Sequence, residues 1–274
     1  MKRKSNFLLI FALAIVLGIF CFAAGRLLQI YQEYRKGEKT YEDLQDYVKD
    51  LEQLESQNDK DTKEPEDTSS KPDNSYLQVD FDGLWSVNPE VIAWIDIPAL
   101  EISYPVVQGN DNFYYLSHLF TGEYNNSGSI FADYHNRVDF TDKNTIIYGH
   151  NMKNGSMFGA LDKYSDQTLY EQSPFFYIYV PEGIYQYHIL SCYAGKTGSE
   201  GYTYRFGDEA DFLDFLETIQ SYAGYKTDVD VTPDDRVVTL STCVNTNRDY
   251  RYLVHGKLIK KLYLDGTEMK MEEK

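Results

Sequence analysis

Cysteine is scarce in this sequence, with three residues in 274, Cys21, Cys192 and Cys243. No multi-bridge disulfide framework can be built from three thiols, so the core must hold the fold together by itself. Positive charge is also short: 26 Lys and Arg stand against 43 Asp and Glu, a formal net charge of −17. A surface of that sign repels polyanions, which sets nucleic acid and anionic lipid aside as bulk partners. Long apolar runs are missing beyond the N-terminal region, and no set of Cys, His and carboxylates has metal-ligand spacing, so neither a metal nor a cofactor is expected. What is plentiful is tyrosine, with 25 residues, many in alternating runs such as Tyr185-Gln186-Tyr187-His188-Ile189-Leu190. That alternation suits half-buried strands, and a hydrophobic fraction of 42% is enough for a packed core.

The N-terminus places the chain relative to a membrane. Met1-Lys2-Arg3-Lys4 is basic, and residues 7–24 follow without a charge, long enough to cross most of a bilayer as a helix. We read 1–6 as a cytoplasmic leader and 7–24 as a signal-anchor. A cleaved signal peptide would have a shorter apolar core and a clearer small-residue site than Phe22-Ala23-Ala24-Gly25. Arg26, Arg35, Lys36 and Lys39 follow the span, so charge counting alone does not orient it. A short basic leader, one apolar span and a long polar body is nevertheless how export signals are built, which puts residues 26–274 outside.

Over 25–54, Ile30, Tyr34, Tyr41, Leu44, Tyr47, Val48 and Leu51 recur at helical spacing and predict a juxtamembrane helical segment. Over 55–76 the composition collapses to polar and acidic residues, which predicts a solvated tether. The folded domain is expected over 77–264, with a polar tail at 265–274. It should begin with a short helical lead-in over 82–94, Pro89 starting a second turn after Asn88. Strands are expected at 93–97, 102–107, 128–133, 145–148, 176–180, 185–194, 236–242 and 252–264, and eight short strands suggest a closed barrel or a sandwich. One helix interrupts them at 208–222, with Phe212, Phe215, Leu216 and Ile219 on one face and Asp208 and Glu209 at its positive end.

Two strands end in reactive side chains. The run 237–242 delivers Cys243 before the polar turn Val244-Asn245-Thr246-Asn247, and 145–148 delivers Gly149-His150-Asn151. A cysteine at the end of a strand is more often a small core residue than a nucleophile, so spacing alone does not decide. The residues around it, however, resemble the sortases: Thr239-Leu240-Ser241-Thr242-Cys243, then Arg251-Tyr252-Leu253-Val254-His255-Gly256-Lys257-Leu258. Asn144-Thr145-Ile146-Ile147-Tyr148-Gly149-His150-Asn151-Met152 resembles the histidine segment of class B. Tyr104-Pro105-Val106-Val107-Gln108-Gly109 and Gly128-Ser129-Ile130-Phe131-Ala132-Asp133 match in the same order. The resemblance spans roughly residues 77–264 and rests on several separated motifs.

The resemblance implies a mostly β fold: an eight-stranded sortase-type β-barrel with N-terminal helices and one long helix before the last two strands, where 208–222 fits. It implies a cysteine transpeptidase at the surface of a Gram-positive cell, which cuts surface proteins after Thr in a C-terminal sorting motif. The acyl group then passes to a peptidoglycan amine, with a pilin lysine amine as the alternative acceptor. Cys243 would be the nucleophile, His150 its proton-transfer partner and Arg251, directly before the Val-His-Gly strand, the stabiliser of transition-state charge. Arg248 is the competitor for the last role. The chemistry agrees with these residue types: a thiolate attacks a carbonyl and leaves a thioester, an imidazole moves protons near neutral pH, and a guanidinium stays charged at any working pH. Pairing with Cys192 would silence Cys243, so both thiols are expected to remain free. For substrate contacts the resemblance offers Ser241, Thr242, Asn112 and Leu116, with Tyr202 and Tyr204 on a wall at 196–206. Asn245 stands where some class B members have an acidic residue, which puts carboxylate help from that place in doubt. The remaining histidines, His118, His135, His188 and His255, read as structural. The rival readings are a hydrolytic thiol protease, with water resolving the same thioester, and a catalytically silent surface binding module.

Overall fold

The computed structural model describes residues 2–50, 76–244, 247–262 and 268–269. The tether expected at 55–76 lies, but for Tyr76, outside the described residues, as does the tail except Glu268 and Met269. Helix α1 (Lys2–Leu44) runs unbroken from the apolar span into the amphipathic stretch, which contains no proline. It is long and apolar enough to cross a membrane, and its large apolar side chains from Ile10 to Tyr31 are exposed. Its last turns behave differently: Tyr41 and Leu44 are buried in the main core. The Tyr41 hydroxyl donates to Gly128 O at 2.6 Å, and Gln45 Nε2 donates to Ser103 O at 3.0 Å. Helix therefore does not fill 25–54; after one 3₁₀ turn, β1 (Val48–Asp50) pairs antiparallel with β2 (Leu77–Val79). Local periodicity could not show this, because the partner strand β2 is distant in sequence.

Helix α2 (Phe81–Val87) is capped by Asp80, whose carboxylate accepts from Gly83 N at 2.9 Å. Pro89 does not open a second turn as the sequence suggested. The residue before a proline is driven out of the helical region, and Asn88 is extended at φ −143°, ψ 109°. Its amide is used instead to fasten Tyr115 Oη and Phe120 O.

Eight strands close the barrel: β3 (Val91–Ile97), β4 (Ile102–Val107), β5 (Ile130–Ala132), β6 (Asn144–Tyr148), β7 (Phe175–Val180), β8 (Gly183–Lys196), β9 (Val237–Val244) and β10 (Asn247–Leu262). Neighbours around it run β10-β8-β7-β3-β4-β5-β6-β9, and β9 pairs back onto β10. Among the described residues only β4–β5 and β6–β9 are parallel. A short α3 (Gln167–Gln172) lies between β6 and β7, and β11 (Glu268–Met269) adds to β10 at Lys261 and Leu262. Closure removes the unpaired edges that a short-stranded sheet would otherwise expose.

The interior is filled by Trp94, Ile95, Phe131, Phe158, Phe176 and Tyr187 among others. Helix α4 (Glu209–Ser221), whose N-cap Asp208 accepts from Asp211 N at 3.0 Å, lays Phe212, Phe215, Leu216 and Ile219 on the outer face of the barrel. There they meet Leu190, Tyr193, Val237 and Leu253, so strands β8, β9 and β10 are apolar on both faces at this place. Cys192 is buried, its Sγ near Tyr164 O at 3.2 Å and Tyr225 Oη at 3.0 Å; burial pushes its thiol up, and both Cys192 and Cys243 are free.

One carboxyl is poorly matched to this interior. Burial pushes Asp96 up to about 6, against its hydrogen bond with Ser103. The folded state thus favours the protonated acid, so its contribution to stability is full below the unfolded value, mostly kept at pH 4, and lost as pH rises through about 6, because the unfolded chain ionises first. Asp96→Asn should unfold with nearly the wild-type free energy at pH 4 and be more stable than the wild type at pH 7, by at most about 3 kcal/mol, with a correspondingly higher melting temperature there. Equal melting differences at both pH values would refute this.

Candidate functional site

The site begins with the alternation of β9. Val238 and Leu240 face the barrel interior, while Val237, Thr239, Ser241 and Cys243 face outward beneath α4 and the 197–206 connection. Cys243 is partly exposed at the end of that face. Across the ladder its registered partner is Arg251 of β10, so both side chains leave the sheet on the same side. The register shifts between Asn247 and Arg251, which makes Arg251 rather than Arg248 the arginine opposite the thiol. Arg251 Nη1 donates to Tyr250 O at 3.0 Å.

His150 follows β6, which runs parallel beside β9 with Tyr148 registered on Ser241. Both neighbours of His150 are fastened to the cysteine strand. Gly149 N donates to Ser241 O at 3.1 Å, and Asn151 Nδ2 donates to Cys243 O at 2.6 Å. The imidazole Nε2 lies 2.6 Å from Leu116 O. A carbonyl only accepts, so Nε2 carries a hydrogen in this contact, and Nδ1 is the nitrogen left to exchange a proton with substrate. The His150 carbonyl accepts from Phe158 N at 3.0 Å, closing the turn. Gly149 is required there: a Cβ would stand 2.4 Å from Ile130 Cδ1 and 2.7 Å from the Phe158 ring. Gly149→Ala should cost about 1–3 kcal/mol in denaturant unfolding and lower activity with it; an unchanged midpoint would show that the turn yields freely.

The expected substrate contacts fall on both sides of this centre. Tyr202, on a 3₁₀ turn at Glu200–Tyr202, places its hydroxyl 2.8 Å from Ser241 Oγ, and burial raises it against the influence of Arg251. Its ring stacks on Tyr148 at 6.4 Å, and Tyr148 Oη donates to Asp133 Oδ2 at 2.8 Å. Asp133 also accepts from Asn112 Nδ2 at 2.8 Å and pairs with His135 Nδ1 at 2.8 Å. The His135 backbone N–H, donating to Asp133 Oδ1 at 2.9 Å, leads these hydrogen bonds in holding the carboxyl below the ordinary range despite burial. Tyr204 stacks on His135 at 5.1 Å. Leu116 is 40% exposed and meets the site through its carbonyl on His150.

Thr242 requires correction. It is 2% exposed on the interior face, opposite Cys243 by strand alternation, and its Oγ1 has no hydrogen-bond partner among the described residues. Its side chain cannot line a substrate groove, although its backbone borders Cys243. Asn245 lies outside the described residues. Sequence reasoning gave no role to Asn151 or Asp133; both stood inside matched motifs, but only the fold shows one on Cys243 O and the other joining Asn112, Tyr148 and His135. Among the described residues no group of His, Cys, Asp and Glu is arranged to hold a metal ion.

Comparison with known proteins agrees with this architecture. The Sortase domain family model matches residues 95–259. Sortase B of Listeria monocytogenes is 34% identical over 251 residues, covering 90% of this chain and 95% of that protein. The crystal structure of sortase B from B. anthracis in complex with AAEK1 superposes with a TM-score of 0.68 at 31% identity, covering 84% of this chain and 99% of that one. A Staphylococcus aureus sortase B–substrate complex gives a TM-score of 0.68 at 29% identity, covering 83% and 98%.

Proposed function

The chain belongs to the sortase family, as a class B sortase and hence a cysteine transpeptidase, and from that premise we propose that Cys243, His150 and Arg251 carry the reaction at the outer face of β9 and β10. The observation that supports this most directly is the registration of Cys243 with Arg251, together with the two hydrogen bonds that tie the flanks of His150 to the Cys243 strand. The Cys243 thiolate attacks the scissile carbonyl carbon of a C-terminal sorting signal, and the carbonyl π electrons move onto oxygen. Arg251 holds that oxyanion by charge and hydrogen bonding. Collapse re-forms the carbonyl, breaks the C–N bond and leaves a Cys243 thioester, while protonated His150 gives the departing amine its proton. An incoming peptidoglycan amine attacks the thioester, His150 takes a proton from it, and Cys243 leaves as thiolate. When no amine is present, water resolves the same thioester and the enzyme behaves as a thiol protease.

Tyr202, Tyr204, Asn112 and Leu116 border the groove for the sorting motif, and Ser241 acts through the hydroxyl of Tyr202. Helix α1 serves as a single-pass anchor with the barrel on the extracellular side of a Gram-positive cell. Its exposed apolar face over residues 10–30 is what a bilayer would cover. The test takes the full chain in detergent with a panel of fluorogenic sorting peptides, with and without short amines, and identifies products by mass. Cleavage joined to amine ligation is expected; an enzyme that ligates no amine with any cleaved peptide would refute the transpeptidase.

A further inference from the structure

Beneath the Tyr202 wall lies a chain of polar side chains that the reaction above does not use. Asn144, Thr239 and His255 are each fully buried, on the neighbouring strands β6, β9 and β10. Asn144 Nδ2 donates to Thr203 O at 2.8 Å and faces Gly201 O at 3.5 Å, which turns its Oδ1 toward Thr239 Oγ1 at 2.7 Å. An amide oxygen only accepts, so the Thr239 hydroxyl donates to it. The Thr239 oxygen can then only accept from His255 Nδ1, 2.9 Å away. That fixes the tautomer: His255 carries its hydrogen on Nδ1, and bare Nε2 accepts from the Tyr193 hydroxyl at 3.2 Å. Burial holds His255 down at about 3, so the ring is neutral at any working pH and the direction of every hydrogen bond is constant.

The far end of this chain is the turn that carries Tyr202. Gly201 sits directly on the network: a Cβ there would stand 2.6 Å from Tyr193 Oη, 2.8 Å from Leu253 Cδ1 and 3.3 Å from His255 Cε1. The turn is thus held at three points, by Gly201 on the His255–Tyr193 pair, by Thr203 O on Asn144 and by Tyr202 Oη on Ser241. We propose that Asn144, Thr239, His255 and Gly201 are positioning residues that clamp the 200–203 turn and so preform the Tyr202 wall of the donor-peptide groove beside Cys243. A wall ordered before the peptide arrives avoids the cost of ordering it on binding. The role of that wall rests on the reading of Cys243 as the nucleophile, whereas the clamp itself does not.

The variants follow the donor–acceptor logic. Asn144→Asp keeps an acceptor for Thr239 but puts an oxygen against Thr203 O, and Gly201→Ala lifts the turn from above. Thr239→Ser keeps the hydroxyl and is the conservative rescue. Three readouts on the full chain are needed: amide hydrogen exchange at 201–206, the rate at which iodoacetamide alkylates Cys243, and kcat and KM for the sorting peptide. Asn144→Asp and Gly201→Ala should each speed exchange at 201–206 at least about tenfold and raise KM by about the same factor, with kcat and alkylation within about twofold. Thr239→Ser should match the wild type in all three. Should Asn144→Asp not fold, Gly201→Ala decides alone. Wild-type exchange at 201–206 in the folded variants would overturn the clamp; so would a fall in kcat and alkylation at constant KM, which marks general damage. A wild type that ligates no peptide would refute the proposed reaction, while the exchange rates still decide the clamp.

Discussion

Replacing Cys243 by alanine should abolish both peptide cleavage and amine ligation, a loss of at least about 10³-fold, with folding intact. Fold and reaction separate cleanly at this position. Cys243 is partly exposed at the end of β9, its sulfur lies outside the barrel core, and its backbone carbonyl, which accepts from Asn151, is unchanged by the substitution. A surface thiol at a strand end adds little packing, so the melting temperature should stay within about 2 °C. Incubation of the wild type with a sorting peptide should trap an adduct whose mass equals the enzyme plus the acyl fragment, and hydroxylamine should release it as the hydroxamate. Cys192→Ala is the matched control. That thiol is buried against Tyr164 and Tyr225, so its loss should lower stability and leave the adduct in place. Cleavage that survives in Cys243→Ala, or an adduct that vanishes in Cys192→Ala, would move the nucleophile elsewhere.

The barrel strands were legible because each buries one periodic face, and α4 because Phe212, Phe215, Leu216 and Ile219 keep a 3.6-residue stripe under an aspartate cap. The segments that differed are those decided by distant partners. Strand β1 exists because β2 lies beside it, and Asn88 leaves the helix because its amide is needed on Tyr115 and Phe120. The site shows the same division. Family motifs carry Cys243, His150 and Arg251, and strand alternation alone turns the Thr242 side chain inward. Nothing in the linear pattern tells that Asn151 reaches Cys243 O or that Asn144 fastens Thr203 O, since each hydrogen bond closes a loop of dozens of residues. His255 reads as structural from sequence, but its partners do not show there. The buried chain through Thr239 and Tyr193 supplies those partners and shows the ring to be neutral.

Arg251 offers the sharpest test of where charge is stabilised. Arg251→Ala should lower kcat/KM for the sorting peptide by about 10²–10³-fold, the range seen when one oxyanion donor is removed. Arg251→Lys should recover only part of this, because an ammonium keeps the charge but loses the planar fork of donors. Alkylation of Cys243 by iodoacetamide passes through no tetrahedral oxyanion. Its rate should therefore change far less than kcat/KM, by under about fivefold, if the guanidinium acts on the oxyanion rather than on the thiol. Parallel losses in alkylation and turnover would mean that Arg251 acts by lowering the proton affinity of Cys243 instead. Register supplies the control: Arg251 is paired with Cys243 across the ladder, and Arg248 stands three residues earlier, inside the register shift, with no registered partner on β9 among the described residues. Arg248→Ala should cost less than about threefold. A loss there equal to that of Arg251→Ala would break the assignment, which rests on Arg251 alone standing directly opposite the thiol.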